Sequence, residues 1–120
     1  MTHGERILDK EWRLGSLPIA GRLVKTATCE TSATEDGFVT DELLGFYEPI
    51  VEAGTPLIIS GNLYTIASGK SSYRMTAADA PDKIPGLRRL TDLAHKGGVR
   101  IFAQVNHCGR QVIPSAMGME

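Results

Sequence analysis

Ile101-Phe102-Ala103-Gln104-Val105-Asn106-His107-Cys108-Gly109-Arg110 is an apolar run that breaks off into polar, flat and flexible residues. A β-type run ending this way reads as a buried strand that delivers chemistry at its tip. Two earlier runs end similarly. Leu23-Val24-Lys25-Thr26-Ala27 closes at Thr28-Cys29, and Pro56-Leu57-Ile58-Ile59-Ser60 closes at Gly61-Asn62. Helical stretches separate the three. The order β-α-β-α-β with apolar strands predicts an α/β fold, a parallel sheet with helices outside. In such folds the useful groups sit at the C-terminal ends of the strands. Thr28-Cys29, Gly61-Asn62 and Gln104 through Arg110 are therefore expected on one rim.

The helices follow from spacing. Leu43, Tyr47, Ile50 and Val51 fall on one helical face behind the cap residues Thr40 and Asp41. Pro49 removes a donor there and presses on Gly45, so a bend is expected rather than a break; Gly54 closes the helix. A second helix is expected over 85–96, with Leu87, Leu90, Leu93 and Ala94 inward, Pro85 in its first turn and Gly97-Gly98 as its cap. Residues 1–13 are charged and are expected to lie over the surface. From 14 to 28 two short β segments are expected, joined around Ala20-Gly21-Arg22. The polar stretch 63–82 has no strong periodicity, and connections of that length are usually functional or mobile.

The chain has 120 residues, one domain's worth, and is 42% hydrophobic and 22% charged. A formal net charge of −1 gives no nucleic-acid footprint. No apolar stretch approaches the ~20 residues that span a bilayer, and the first six residues lack a signal-peptide core. Cys29 and Cys108 make no disulfide framework. Cytoplasmic residence, with no membrane or nucleic-acid partner, is the expectation. His3, His95 and His107 are scattered and no Cys-x-x-Cys is present, so no metal site is expected. A dinucleotide fingerprint, a phosphate loop and a nucleophile elbow are also absent.

Gln104 is the most informative single residue. Its amide both donates and accepts, so from a strand end it can read the edge of a heteroaromatic ring; the bland alternative is a Gln that satisfies loop backbone. Cys29 can tune a redox group or form a reactive thiolate, or it can be a small buried hydrophobe. Asn106 and His107 either hold a loop or line a pocket. His95, near a helix C-terminus, reads as structural. Arg110 suits a carboxylate, a phosphate or plain solvent. Tyr64, Tyr73 and Arg74 either cover a ligand or pack locally.

Five ordered segments carry a resemblance. They are Gly21-Arg22-Leu23-Val24, Glu35-Asp36-Gly37-Phe38-Val39-Thr40, Leu57-Ile58-Ile59-Ser60-Gly61-Asn62, Ile84-Pro85-Gly86-Leu87 and Gln104-Val105-Asn106-His107-Cys108-Gly109-Arg110. Together, across residues 14–115, they resemble the N-terminal part of the old yellow enzyme family of FMN-dependent NADH:flavin oxidoreductases and ene-reductases. The resemblance implies about three β/α units of a (β/α)8 TIM barrel, preceded by a short β-hairpin. It makes 1–120 a partial FMN-binding domain that ends after the third barrel strand. It implies hydride transfer from NAD(P)H through FMN to an activated alkene or similar small-molecule acceptor, in an enzyme whose full-length form is open to homo-oligomer assembly. By position, Ala27, Thr28 and Cys29 pass beside the flavin, Asn62 approaches from the second strand, and Gln104 bonds the pyrimidine portion. Cys29 stands where some members carry a thiol that modulates flavin potential.

The pattern departs from the family at Ala27, where Pro is common, at Asn62, where a small residue is common, and at Cys108, where Ala is usual. The family's substrate-orienting pair, proton donor and main phosphate loops belong to later strands, so no catalytic residue is assigned here. A barrel of this kind takes ~250 residues. A fragment or truncated product of a longer enzyme is therefore expected, inactive as 120 residues alone. Two other readings stay open: a non-catalytic remnant that pairs with another chain through its strand edges, and an unrelated barrel acting on a phosphorylated sugar.

Overall fold

The computed structural model describes residues 6–112 and 114. Residues 1–5, including His3, lie outside the described residues, so the surface expectation for 1–13 is tested only from Arg6 onward. Trp12–Leu14 (β1) and Leu17–Ile19 (β2) form an antiparallel hairpin that turns at Gly15-Ser16. The expected junction at Ala20-Gly21-Arg22 joins β2 to the next strand, Val24–Lys25, and Trp12–Leu14 is a further strand ahead of it. The junction is a connector, with Gly21 O accepting from Trp12 Nε1 at 2.7 Å and Arg22 N donating to Leu8 O at 2.7 Å. The charged residues flanking Trp12 hide the strand in the sequence.

Val24–Lys25 (β3), Leu57–Tyr64 (β4), Thr76–Ala77 (β5) and Arg100–Asn106 (β6) form a parallel sheet. The long strand β4 is central. It pairs with β3 at Leu57 and Ile58, with β5 at Leu63 and Tyr64, and with β6 over most of its length. β3, β4 and β6 lie side by side in chain order.

Asp41–Glu52 (α1) lies between β3 and β4, and Ile84–Lys96 (α2) lies between β5 and β6. Thr40 caps α1, its Oγ1 accepting from Leu43 N at 3.1 Å. The helix runs through Pro49 without ending. Both helices cover one face of the sheet. Leu43, Tyr47 and Val51 from α1 meet Leu90 and Ala94 from α2, with Ile58 and Val99 beneath them. Ile50, Leu87 and Leu93 are only half-buried on that side.

Three strand expectations change. β3 is two residues long rather than reaching Thr28, and 26–30 continue as open backbone. β4 extends past Gly61-Asn62 to Tyr64, so those two residues lie within the strand and not at its tip. β6 is not a strand buried on both faces: Phe102 is 42% exposed and Val105 63%. Among the described residues β6 pairs with β4 alone, which leaves its other edge open. Among the described residues no helix is long and apolar enough to cross a membrane.

Candidate functional site

Register decides which side chains share a face. Ile58 pairs with Ile101, and both pack toward the helices. Ile59 therefore pairs with Phe102 on the opposite, helix-free face. The ladder then shifts: the next pair is Asn62 with Gln104, so β4 advances three residues while β6 advances two. Such a bulge inserts one residue and re-aims those that follow. In an unbroken ladder Gly61 would face Gln104, and Asn62 would turn toward the helices. The bulge instead puts Asn62 beside Gln104 on the helix-free face, with Tyr64 and Asn106 next along it. Ser60 holds the irregular turn, its Oγ donating to Gly61 O at 2.9 Å and accepting from Gln104 N at 3.4 Å.

A buried polar cluster behind the bulge was not legible in the sequence. Glu30 follows the end of β3, and its side chain is only 6% exposed. Its Oε1 accepts from Gly61 N at 3.0 Å and from the Tyr47 hydroxyl, and Lys25 Nζ lies 3.9 Å away. Among the described residues Lys25 Nζ has no hydrogen-bond partner, and it sits over the Tyr47 ring, 5.1 Å from its centroid. One carboxylate thus ties the end of β3 to the middle of β4. Glu30 stands in a polar stretch that reads as a surface loop. Its burial depends on a tyrosine 17 residues on and a glycine 31 residues on.

Burial, the bond to Glu30 and the nearby carboxylate push the Tyr47 hydroxyl well above the usual tyrosine range. Burial lowers Lys25, against the pull of Glu30. The signs oppose. A raised tyrosine favours the fold up to its ordinary value of 10.0 and stops doing so as pH climbs further. A lowered lysine penalises the fold at lower pH, and that penalty fades as pH approaches 10.5. Tyr47→Phe is expected to remove the alkaline loss: the stability gap between wild type and variant should narrow above pH 10.0 in denaturant titrations. A constant gap would contradict this.

Of the remaining expected residues, Cys29 and Cys108 meet the same 69–72 segment that contacts Asn62. Ala27 is half-buried, and Thr28 and Cys29 are exposed just beyond β3. Cys29 Sγ lies 3.1 Å from Ser72 Oγ, and Asn62 Nδ2 donates to Ser71 Oγ at 3.1 Å. The 63–82 stretch, which contributes β5, thus folds back over the strand ends. His107 and Cys108 dock on the same stretch, Cys108 N donating to Gly69 O at 3.0 Å. Cys29 and Cys108 are free thiols. Tyr73 bonds Glu35, and Arg74 pairs with Glu42 at 2.7 Å, so both pack locally. His95 is exposed in the last turn of α2. Two adjacent amides on a helix-free face, each able to donate and accept, fit the polar edge of a flat heteroaromatic ring.

The backbone as a whole superposes on an old yellow enzyme homologue from Zymomonas mobilis with a TM-score of 0.83 at 24% identity, covering 96% of this chain and 32% of that one. The chain resembles the old yellow enzymes. In sequence it is 32% identical over 115 residues to an NADH oxidase of Thermoanaerobacter brockii, covering 95% of this chain and 18% of the relative. It is 36% identical over 104 residues to a metal reductase of Desulforamulus reducens, covering 87% and 15% respectively. The chain thus spans less than a third of the length of each. No protein-family model matches it. The old yellow enzyme likeness agrees with the parallel sheet, and the named relatives are oxidoreductases.

Proposed function

We propose that this chain supplies the first wall of the flavin site in an FMN-dependent oxidoreductase of the old yellow enzyme type, a cytoplasmic (β/α)8 barrel enzyme in which 1–120 forms the first three β/α units. The pairing of Asn62 with Gln104 on the sheet face free of helices carries the reading. Gln104 would meet the pyrimidine edge of the ring with its amide, Asn62 would meet it from β4, and Ala27, Thr28 and Cys29 would border it from the segment that follows β3. The chemistry supplied by bound FMN is two-electron transfer from NAD(P)H to an activated alkene or similar acceptor. These residues hold and orient the ring. Groups that protonate or orient the acceptor would come from later strands, so residues 1–120 alone are expected to show no turnover.

Gln104→Ala in the complete polypeptide is expected to weaken FMN binding roughly tenfold, the effect of losing about one good hydrogen-bonding group. Flavin fluorescence titration checks it. Unchanged affinity would remove Gln104 from the site.

A second reading is favoured by one observation, the open β6 edge with Phe102 and Val105 exposed. Such an edge templates pairing with another chain. Size-exclusion chromatography of residues 1–120 is expected to show association that Val105→Lys suppresses. A compact monomer would count against this reading.

A further inference from the structure

The Ser71-Ser72 turn is not among the residues assigned to the ring, yet it touches two of them. Ser72 Oγ lies 3.1 Å from Cys29 Sγ, and Ser71 Oγ lies 3.1 Å from Asn62 Nδ2. Ser71 is itself anchored, its N and Oγ each 3.4 Å from Sδ of Met75, a residue only 1% exposed. The hydroxyl that donates to Met75 must accept from Asn62, which fixes the Asn62 amide with its nitrogen toward the turn. Its oxygen is then left as an acceptor for a ligand N–H.

The two loops are also clasped to one another. Thr31 and Arg74 both hold left-handed backbone, at φ 51° and 55°, unusual for residues other than glycine. Ala33 N donates to Arg74 O at 3.1 Å, Arg74 Nε donates to Ala33 O at 2.7 Å, and Arg74 pairs with Glu42. Strained backbone persists where surrounding contacts over-determine it, and it concentrates at functional sites.

We propose that Ser71-Ser72 is a positioning element of the flavin site: Ser72 fixes the sulfur of Cys29, and Ser71 fixes Asn62 so that it presents its carbonyl oxygen. The inference rests on the flavin reading above. It separates the two serines by readout. Ser72 acts through Cys29 on flavin potential, and Ser71 acts through Asn62 on flavin affinity.

Two double-mutant cycles on the FMN-loaded complete polypeptide test it. Ser72→Ala is expected to move the flavin midpoint potential in the same direction as Cys29→Ala. It should add nothing in the Cys29→Ala background, and Ser72→Thr, which keeps the hydroxyl, should restore the wild-type value. Ser71→Ala is expected to weaken FMN binding roughly fivefold, with no further loss in an Asn62→Ala background. Should Ser72→Ala fail to fold, the Ser71 cycle and Ser72→Thr still decide. Variants that bind FMN with wild-type affinity and potential overturn the inference and leave the flavin reading standing. Wild-type protein that takes up no FMN overturns both.

Discussion

Gly61→Ala is expected to cost about 3 kcal/mol of stability or more, the upper end for forcing extra volume into a packed site. A Cβ at Gly61 would overlap the Glu30 carboxylate and the Thr28 carbonyl oxygen. The carboxylate is the end of a side chain and can move, but only by giving up Gly61 N and Tyr47. The Thr28 carbonyl is backbone and cannot move without shifting the segment that leads to Cys29. Gly61 also lies between the Ile59–Phe102 and Asn62–Gln104 pairs, where the register shifts. The substitution should therefore disturb Asn62 as well as the fold, lowering both the denaturation midpoint and FMN affinity. A variant with near wild-type stability would mean that the bulge is looser than described.

Glu30→Ala is expected to cost about 3 kcal/mol, because removing one member of a buried ion pair leaves the other charge without compensation. Here that charge is Lys25, whose Nζ has no hydrogen-bond partner among the described residues. Gly61 N retains the Tyr47 hydroxyl as acceptor at 2.9 Å, which limits the loss. Glu30→Gln keeps the shape and an acceptor, so it should cost less than the alanine. The double variant Glu30→Ala/Lys25→Met should recover part of the loss, since no lone charge remains. Chemical denaturation of the four proteins tests this order. Equal stability across the set would make Glu30 a surface residue in effect.

The elements legible in the sequence are those whose signals are local. The spacing of Leu43, Tyr47 and Val51 behind Thr40 gave α1, and Leu90 and Ala94 gave α2. Apolar runs marked three of the four parallel strands, whereas β5 at Thr76–Ala77 lies in the polar 63–82 stretch and carries no such run. What escaped depends on pairing between distant residues. The bulge between Ile59 and Asn62 is a property of β4 against β6, and neither segment carries a mark of it alone. Glu30 looks like loop surface until Tyr47 and Gly61 close over it. Ser71 and Ser72 sit in a polar stretch with no periodicity, and only the folded chain brings them to Asn62 and Cys29. The exposure of Phe102 and Val105 was also hidden, since an apolar run reads as buried whether or not anything lies beyond it.

Asn62 and Gln104, side by side on the helix-free face, are proposed to hold a flavin. FMN titration of the complete polypeptide carrying this chain, run in parallel for wild type and Asn62→Ala/Gln104→Ala, tests it most directly. The wild-type protein is expected to be yellow and to saturate at about one FMN per chain, and the double variant to fold but bind FMN far more weakly. A colourless wild type, or a double variant that binds FMN as well as wild type, would contradict it.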